Sequence, residues 1–502
     1  MTAMKATQLR DENFPVAPDL VPSPVPNGLA ALERQVARDL DMLVLPANWI
    51  APKAGPDGAP MLDVVIIGAG MYGIAAAIGL QLKGIRNILM VDRSPDGQEG
   101  PWVTYARMET LRSPKHLPGP CLGIPSLTYR SWYEASFGTP AWEALYKIPN
   151  SSWQDYLTWL RRTLGLPLRS QADVVQVTPQ PEGVAVHLAD GSALHTRRLV
   201  VATGRVGTGG PAIPSVVSAD LWPDRAAHTC DEIDFSRLAG RRVAVLGAGA
   251  SAWDNAATAL EAGALKVDLF CRRSQMPQVN KGRAAATPGF FEGWADLDVA
   301  RKWALFVYMQ DNIAPPPHET VNRTIAHEAF ELHFGAPVQA ARRSEHGVEV
   351  VLPDGTVEYD FLIVGTGFVV DLRQEPIFAG FANDIATWGD RYQPPAALQR
   401  ISLQAFPWLE GGFELQARDE SAPPGVDRIH LFNHAATASL GAIASDVPGA
   451  NAGAQRLATR IASHFFVEDI DQVTRTLEAF SEPELAGTPY CTIPQPPASG
   501  ET

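Results

Sequence analysis

Cysteine is scarce in this 502-residue chain, with four in all: Cys121, Cys230, Cys271 and Cys491. None pairs as C-x-x-C and none has the spacing of a zinc site. This leaves no disulfide framework, no redox dithiol and no metal centre to read. Positive charge is also short, with 41 Lys and Arg against 55 Asp and Glu and a formal net charge of -14. So acidic a chain, without a basic run, is a poor partner for nucleic acid or an anionic membrane surface. The N-terminus lacks a basic segment followed by an apolar one, so no secretory signal is expected. The longest apolar run, Met61 to Leu80, is interrupted by Asp63 and four glycines. It reads as strand, turn and helix rather than as an integral membrane segment. No short-period repeat is present. The expectation is a soluble, cytoplasmic protein, large enough for two or three domains at 46% hydrophobic residues. A homo-oligomeric state stays open.

What the chain does have is two glycine loops of one design. In "VVIIGAGMYGIAAAIGL", beginning at Val64, Gly68, Gly70 and Gly73 fit G-x-G-x-x-G. The first glycine permits a tight strand-to-helix turn. The second lets the backbone approach a pyrophosphate, and the third lets helix and strand pack closely. The N-terminus of the helix offers free N–H groups and partial positive charge to the phosphates. A strand, "NILMVDRS", follows and ends on Asp92. That is where a ribose-binding carboxylate belongs, roughly 20 residues on.

The second loop, "RVAVLGAGASAWDNAATAL" from Arg242, carries Gly247, Gly249 and Ala252 as G-x-G-x-x-A. Its following strand ends "LFCRRS", with Arg272 and Arg273 where the acid would stand. A guanidinium there grips a 2′-phosphate through paired hydrogen bonds, and a carboxylate would repel it. The first site therefore suits FAD and the second NADPH, and the pair implies hydride transfer from nicotinamide to flavin. Tyr72 and Ser251, in the first helical turns, and Arg93, next to the acid, join the expected cofactor contacts. A disulfide acceptor for the electrons would need a dithiol near the flavin, and the only cysteine soon after the first loop is Cys121, alone.

Around the loops, "GLAALERQVARDL" and "SSWQDYLTWLRRTLGL" carry helical periodicity, the second starting on serines suited to an N-cap. A Pro-rich lead, "FPVAPDLVPSPVP", precedes the first and is expected to be extended. "ADVVQVTPQPEGVAVHLADGSALHTRRLVVATG" and "GVEVVLPDGTVEYDFLIVGTGF" each read as strands joined by tight turns and ending on Thr-Gly. Residues 281–340 read as mostly helical.

The two loops, "GPW" ending at Trp102, "ATG" at Ala202-Thr203-Gly204 and "GTG" at Gly365-Thr366-Gly367 resemble the NADPH-dependent, FAD-containing monooxygenases, over roughly residues 60–465. That family takes in flavin-containing, N-hydroxylating and Baeyer–Villiger enzymes. The resemblance implies an α/β fold of two Rossmann-like dinucleotide-binding domains, the FAD domain discontinuous and the NADPH domain inserted. The expected division is an N-terminal extension over 1–54, FAD domain over 55–205 and 359–465, NADPH domain with a helical insertion over 206–358, and a tail over 466–502. Trp102 is expected beside the flavin, and Thr203, Gly204, Thr366 and Gly367 at the two crossings between domains. The implied reaction is reduction of FAD by NADPH, then addition of O2 at flavin C4a. The resulting (hydro)peroxyflavin would hydroxylate or N-/S-oxygenate a small organic molecule. One departure concerns the ester-forming members, which carry F-x-G-x-x-x-H before the second loop. Here "WPDRAAHT" has Trp222 for Phe and Asp224 for Gly, with His228 in place. Baeyer–Villiger oxidation stays open, as does a non-oxygenating flavoprotein reductase or redox sensor.

"HLFNHAATASLG" lies where the FAD domain resumes. The resemblance places a helix N-terminus there, aimed at the flavin, with Asn433 and His434 as candidate catalytic residues. Asn433 and His434 also suit a cap and a satisfied structural histidine. Trp132, Tyr133, Trp142, Phe290, Phe291 and Trp294 suit either core packing or a lid that keeps the site dry. Arg107, Arg112 and Lys115 suit an anionic substrate or a surface turn.

Overall fold

A computed structural model describes residues 22–56 and 58–492. Most of the Pro-rich lead lies outside the described residues.

The apolar strand before each glycine loop becomes the middle of a parallel sheet. Leu62–Ile67 pairs in parallel with Ile88–Val91 on one side and Ala193–Val201 on the other. Leu168–Arg169 extends the sheet past Ile88–Val91, and Ile429–Leu431 joins it beside Ala193–Val201. Val64, Val65 and Ile66 have no exposed surface, as a parallel strand covered on both faces requires. Ala193–Val201 also pairs antiparallel with Gly183–Leu188, which pairs with Val174–Gln180. One long strand thus ends a meander and enters the parallel part of the first sheet.

The second sheet is wholly parallel, in the order Phe330–Phe334, Lys266–Cys271, Arg242–Leu246, Phe361–Val364, Ala226–His228. A separate antiparallel sheet holds Ala340–Arg343, Val348–Leu352 and Gly355–Tyr359, the last two joined at the expected Asp-Gly turn.

Helix Met71–Leu82 is apolar all round and is buried between its sheet and helix Ala450–Glu468. Gly79 permits that contact, because a Cβ there would lie 3.0 Å from the carbonyl oxygen of Ala454. Gly28–Met42 and Asn150–Thr163 are helical as the periodicity predicts. The serine N-cap is not found: Pro149 caps Asn150–Thr163 without a side-chain bond. Ser152 lies inside the first turn, its hydroxyl 2.8 Å from that of Tyr129. Residues 281–340 form four helices but end in strand Phe330–Phe334, which closes the edge of the second sheet. Glu468 and Asp469, around the start of the expected tail, make buried ion pairs with Arg197. Helix Ile470–Ala479 follows them.

Among the candidate lid aromatics, Trp132, Tyr133 and Trp142 pack with Tyr129, Trp153 and Tyr156 in one buried cluster. They are core. Trp294 is buried elsewhere: its Nε1 donates to the carbonyl of Ala438, and its ring would contact a Cβ on Gly441 at 2.9 Å.

Candidate functional site

The two glycine loops stand at the carboxyl ends of the central strands, where open parallel sheets bind ligands. In the first, Gly68 has φ +98° and a Cβ would lie 2.6 Å from the oxygen of Ala202. A Cβ on Gly73 would fall 1.9 Å from the oxygen of Gly68. Both glycines are required by the protein's own packing. Gly70 is not: its nearest neighbour would be the Cα of Gly100 at 3.6 Å, and its φ of -69° is ordinary. The space beside Gly70 is a cradle that a larger side chain would fill.

Trp102 borders the same space, 3.7 Å from where a Cβ on Gly100 would stand, and its buried Nε1 has no hydrogen-bond partner. An orphaned indole N–H beside an open glycine cradle fits a ligand that brings acceptor oxygens, as FAD does. Asp92 accepts the Ala69 N–H at Oδ2 and the Ser94 N–H at Oδ1, each at 2.8 Å. Its carboxylate is thus tied to the glycine loop, and each oxygen keeps lone-pair capacity for a ribose hydroxyl. Arg93 beside it is exposed. Tyr72 donates to the carbonyl of Asp446 at 2.8 Å and meets the ring of Phe432 edge-on.

In the second loop, Gly247 has φ +110° and a Cβ would lie 2.4 Å from the oxygen of Gly365. A Cβ on Gly249 would meet nothing within 4 Å. Ser251 is exposed and Ala252 is buried against Gly365. Arg272 and Arg273 project from the end of their strand, exposed, and neither guanidinium forms a hydrogen bond or ion pair among the described residues. An open cradle with two unengaged guanidinium groups fits NADPH. Thr366 donates to the carbonyl of Ala212, and Gly367 accepts the Ala212 N–H at 2.9 Å. These bonds join the two chain segments that follow Ala193–Val201 and Phe361–Val364.

The ends of Ala193–Val201 and Ile429–Leu431 are adjacent, with Val201 opposite Leu431. This brings Thr203, Gly204, Asn433 and His434 together. Asn433 is 1% exposed. Its Oδ1 accepts the Ala435 N–H at 3.0 Å, and its Nδ2 donates to the Thr203 hydroxyl at 3.1 Å. It caps a turn and ties two strand ends. The expected helix is only the turn His434–Ala436 followed by Thr437–Leu440. So short a run carries little macrodipole.

His434 has a different environment. Its Nε2 lies 3.3 Å from Nη1 of Arg205, and Thr437 Oγ1 lies 3.4 Å from Nδ1. Burial, reinforced by Arg205, holds its imidazole well below the ordinary histidine range, so it is neutral at pH 7. Arg205 Nη2 also lies 3.8 Å from Asp446 Oδ1. The site reading missed Arg205, although a basic residue directly after a Thr-Gly crossing was a legible signal.

The other polar candidates have structural partners. Arg112 pairs at 3.2 Å with buried Asp254, which lies on the helix after the second loop. Lys115 donates to the carbonyls of Trp142, Glu143 and Leu145, closing a helix end. Arg107 donates to the carbonyl of Thr104 and lies over the ring of Phe235. Asp224 pairs with Arg343 at 2.6 Å, and His228 is buried on the edge strand beside Val364. Burial pushes the Cys230 thiol up to about 11, and none of the four cysteines is in a disulfide among the described residues. Asp268, Glu331 and His333 converge, but the ammonium of Lys266 already contacts both acids, at 3.3 and 2.8 Å.

Residues 65–285 match the family model described as pyridine nucleotide-disulphide oxidoreductase. An FAD-dependent urate hydroxylase of Xanthomonas campestris pv. campestris is 39% identical over 462 residues, covering 91% of this chain and 98% of that protein. A Baeyer-Villiger monooxygenase of Streptomyces coelicolor is 27% identical over 192 residues, 38% of this chain and 34% of that protein. The ornithine N-hydroxylase of Kutzneria sp. 744, solved with reduced FAD, NADP+ and L-ornithine, shares the fold: TM-score 0.62, 15% identity, 81% of this chain and all of that one.

Proposed function

The chain belongs to the FAD-dependent monooxygenase family, and on that premise we propose that its substrate is a planar oxopurine of the urate type. It is an oxidoreductase that works with FAD and NADPH, and the substrate is a small molecule that takes one atom of O2. The near full-length likeness to the urate hydroxylase carries the substrate reading. No helix among the described residues is long and apolar enough to cross a membrane.

When bound, FAD would supply two-electron chemistry between NADPH and O2, one oxygen atom entering the substrate and the other leaving as water. The first loop, Asp92, Trp102 and the Thr203-Gly204 crossing are the residues that would hold FAD. Gly70 leaves room for the pyrophosphate, Asp92 accepts from a ribose, and Trp102 Nε1 donates. The second loop, Arg272, Arg273 and the Thr366-Gly367 crossing would hold NADPH. Asn433 holds the two strand ends together beneath the site. Trp294 is buried against Gly441, in the segment that follows His434.

The test uses the purified yellow holoenzyme with NADPH and urate. Oxygen uptake should match NADPH consumption, and the product should gain one oxygen atom. Stoichiometric hydrogen peroxide with urate unchanged would refute the substrate reading.

A further inference from the structure

We propose that Arg205 and His434 form the recognition edge for the substrate, a cationic donor beside a neutral acceptor that together match one C=O/N–H edge of an anionic lactam. This rests on the urate-type reading above and deepens it.

The argument begins with the proton on His434. Arg205 Nη1, which can only donate, lies 3.3 Å from Nε2, so Nε2 presents its lone pair. The Thr437 hydroxyl donates to the carbonyl of His434 at 2.6 Å. Its oxygen is therefore left as an acceptor for Nδ1–H, at 3.4 Å. The network assigns the Nδ1–H tautomer. Burial and the nearby guanidinium both oppose a second proton.

Arg205 in turn has only a loose ion pair among the described residues. Asp446 Oδ1 is 3.8 Å from Nη2, beyond hydrogen-bond reach. The Arg205 side chain keeps 49% of its surface exposed and Asp446 keeps 55%. The guanidinium lies directly after Gly204, and a Cβ on Gly204 would meet nothing within 4 Å. The pair thus stands at the strand ends beside the first glycine loop, with half of the Arg205 side chain exposed and open space at Gly204.

Arg205 and His434 are joined to each other only by a donor–acceptor bond. A ligand with an adjacent carbonyl oxygen and ring N–H can replace it without leaving either partner unmet. The oxygen takes the guanidinium protons and the N–H gives to Nε2. Lactams present such an edge, and urate is a planar lactam carried as a monoanion at neutral pH. The guanidinium favours that charge, and its planar fork suits a flat ligand. An alkylammonium substrate such as ornithine would meet the wrong charge.

The experiment uses FAD-loaded enzyme with urate and the four monomethylurates as probes, in wild type, Arg205→Met, Arg205→Lys, His434→Leu and His434→Gln. Flavin content reports folding for every variant. Arg205→Met should raise the urate KM by about 10–100-fold, with the NADPH KM moved far less. Arg205→Lys should recover part of the loss. In wild type, one methylurate should lose about ten-fold or more, because its methyl replaces the N–H given to Nε2. His434→Leu should abolish that discrimination, and His434→Gln, which restores an acceptor, should recover it. If the NADPH KM rises while the urate KM stays, Arg205 serves the nicotinamide nucleotide and the proposal is overturned. Methyl discrimination that persists in His434→Leu also overturns it. If wild type oxygenates urate and the variants match it, only the recognition edge fails. If wild type neither binds nor oxygenates urate, the substrate reading fails and takes the recognition edge with it.

Discussion

The Cβ of Ala252 lies 2.6 Å from the point where a Cβ on Gly365 would stand. The second glycine loop has alanine at its third position, and the crossing strand opposite it has glycine where the first crossing has Ala202. The two departures from the first unit are one packing event. Gly365→Ala should therefore destabilise the second sheet by about 1–3 kcal/mol through overpacking. The double variant Ala252→Gly/Gly365→Ala should recover most of that loss, read as Tm and as NADPH KM. Additive losses in the double variant would show that the two positions act separately.

Gly70→Val tests the flavin cradle. Nothing in the protein forbids the side chain, since Gly70 has ordinary φ and its nearest neighbour would be 3.6 Å away. The expected product is a folded, colourless protein that does not recover flavin absorbance when FAD is added. A yellow, active Gly70→Val would remove the first loop from the FAD site.

Arg272→Ala tests the phosphate assignment. Arg272 has no protein partner to lose, so stability should hardly change. The NADPH KM should rise by an amount equivalent to about 1–3 kcal/mol, with the NADH KM nearly fixed. Equal changes for both nucleotides would exclude contact with the 2′-phosphate.

Asp63, at the head of the first central strand, is 2% exposed. Burial pushes its carboxyl up to about 6, against the pull of Arg197. A raised acid favours the folded state while it is protonated. That contribution is complete below the ordinary value of 3.8 and is lost as pH rises through about 6. Asp63→Asn should raise stability at pH 8 by about 1–3 kcal/mol. It should also flatten the fall in Tm across that window. A wild-type Tm that rises steadily from pH 4 to pH 7, unchanged in Asp63→Asn, would contradict this account.

Much of the molecule was legible from local pattern. Four apolar residues, a glycine loop and an apolar helix are a contiguous unit, and strand periodicity with Asp-Gly turns located the meanders. These features depend on neighbours a few residues apart. The short helical run at His434 and the edge strand Phe330–Phe334 were not legible, because long-range pairing decides them. Arg112, Arg107 and Lys115 looked alike in sequence; only their distant partners Asp254, Phe235 and Trp142 assign them structural duties.

By itself the sequence determined that two nucleotide cradles exist and which bears an acid and which two arginines, because backbone sterics at glycine and charge type at strand ends are local properties. The tertiary structure alone decided what stands at the ends of the strands beside the first cradle. It engaged Asn433 in a cap and left Arg205 facing the lone pair of His434, residues 229 apart in the chain. Parallel pairing of Val201 with Leu431 brings those strand ends together, and no local pattern encodes that register.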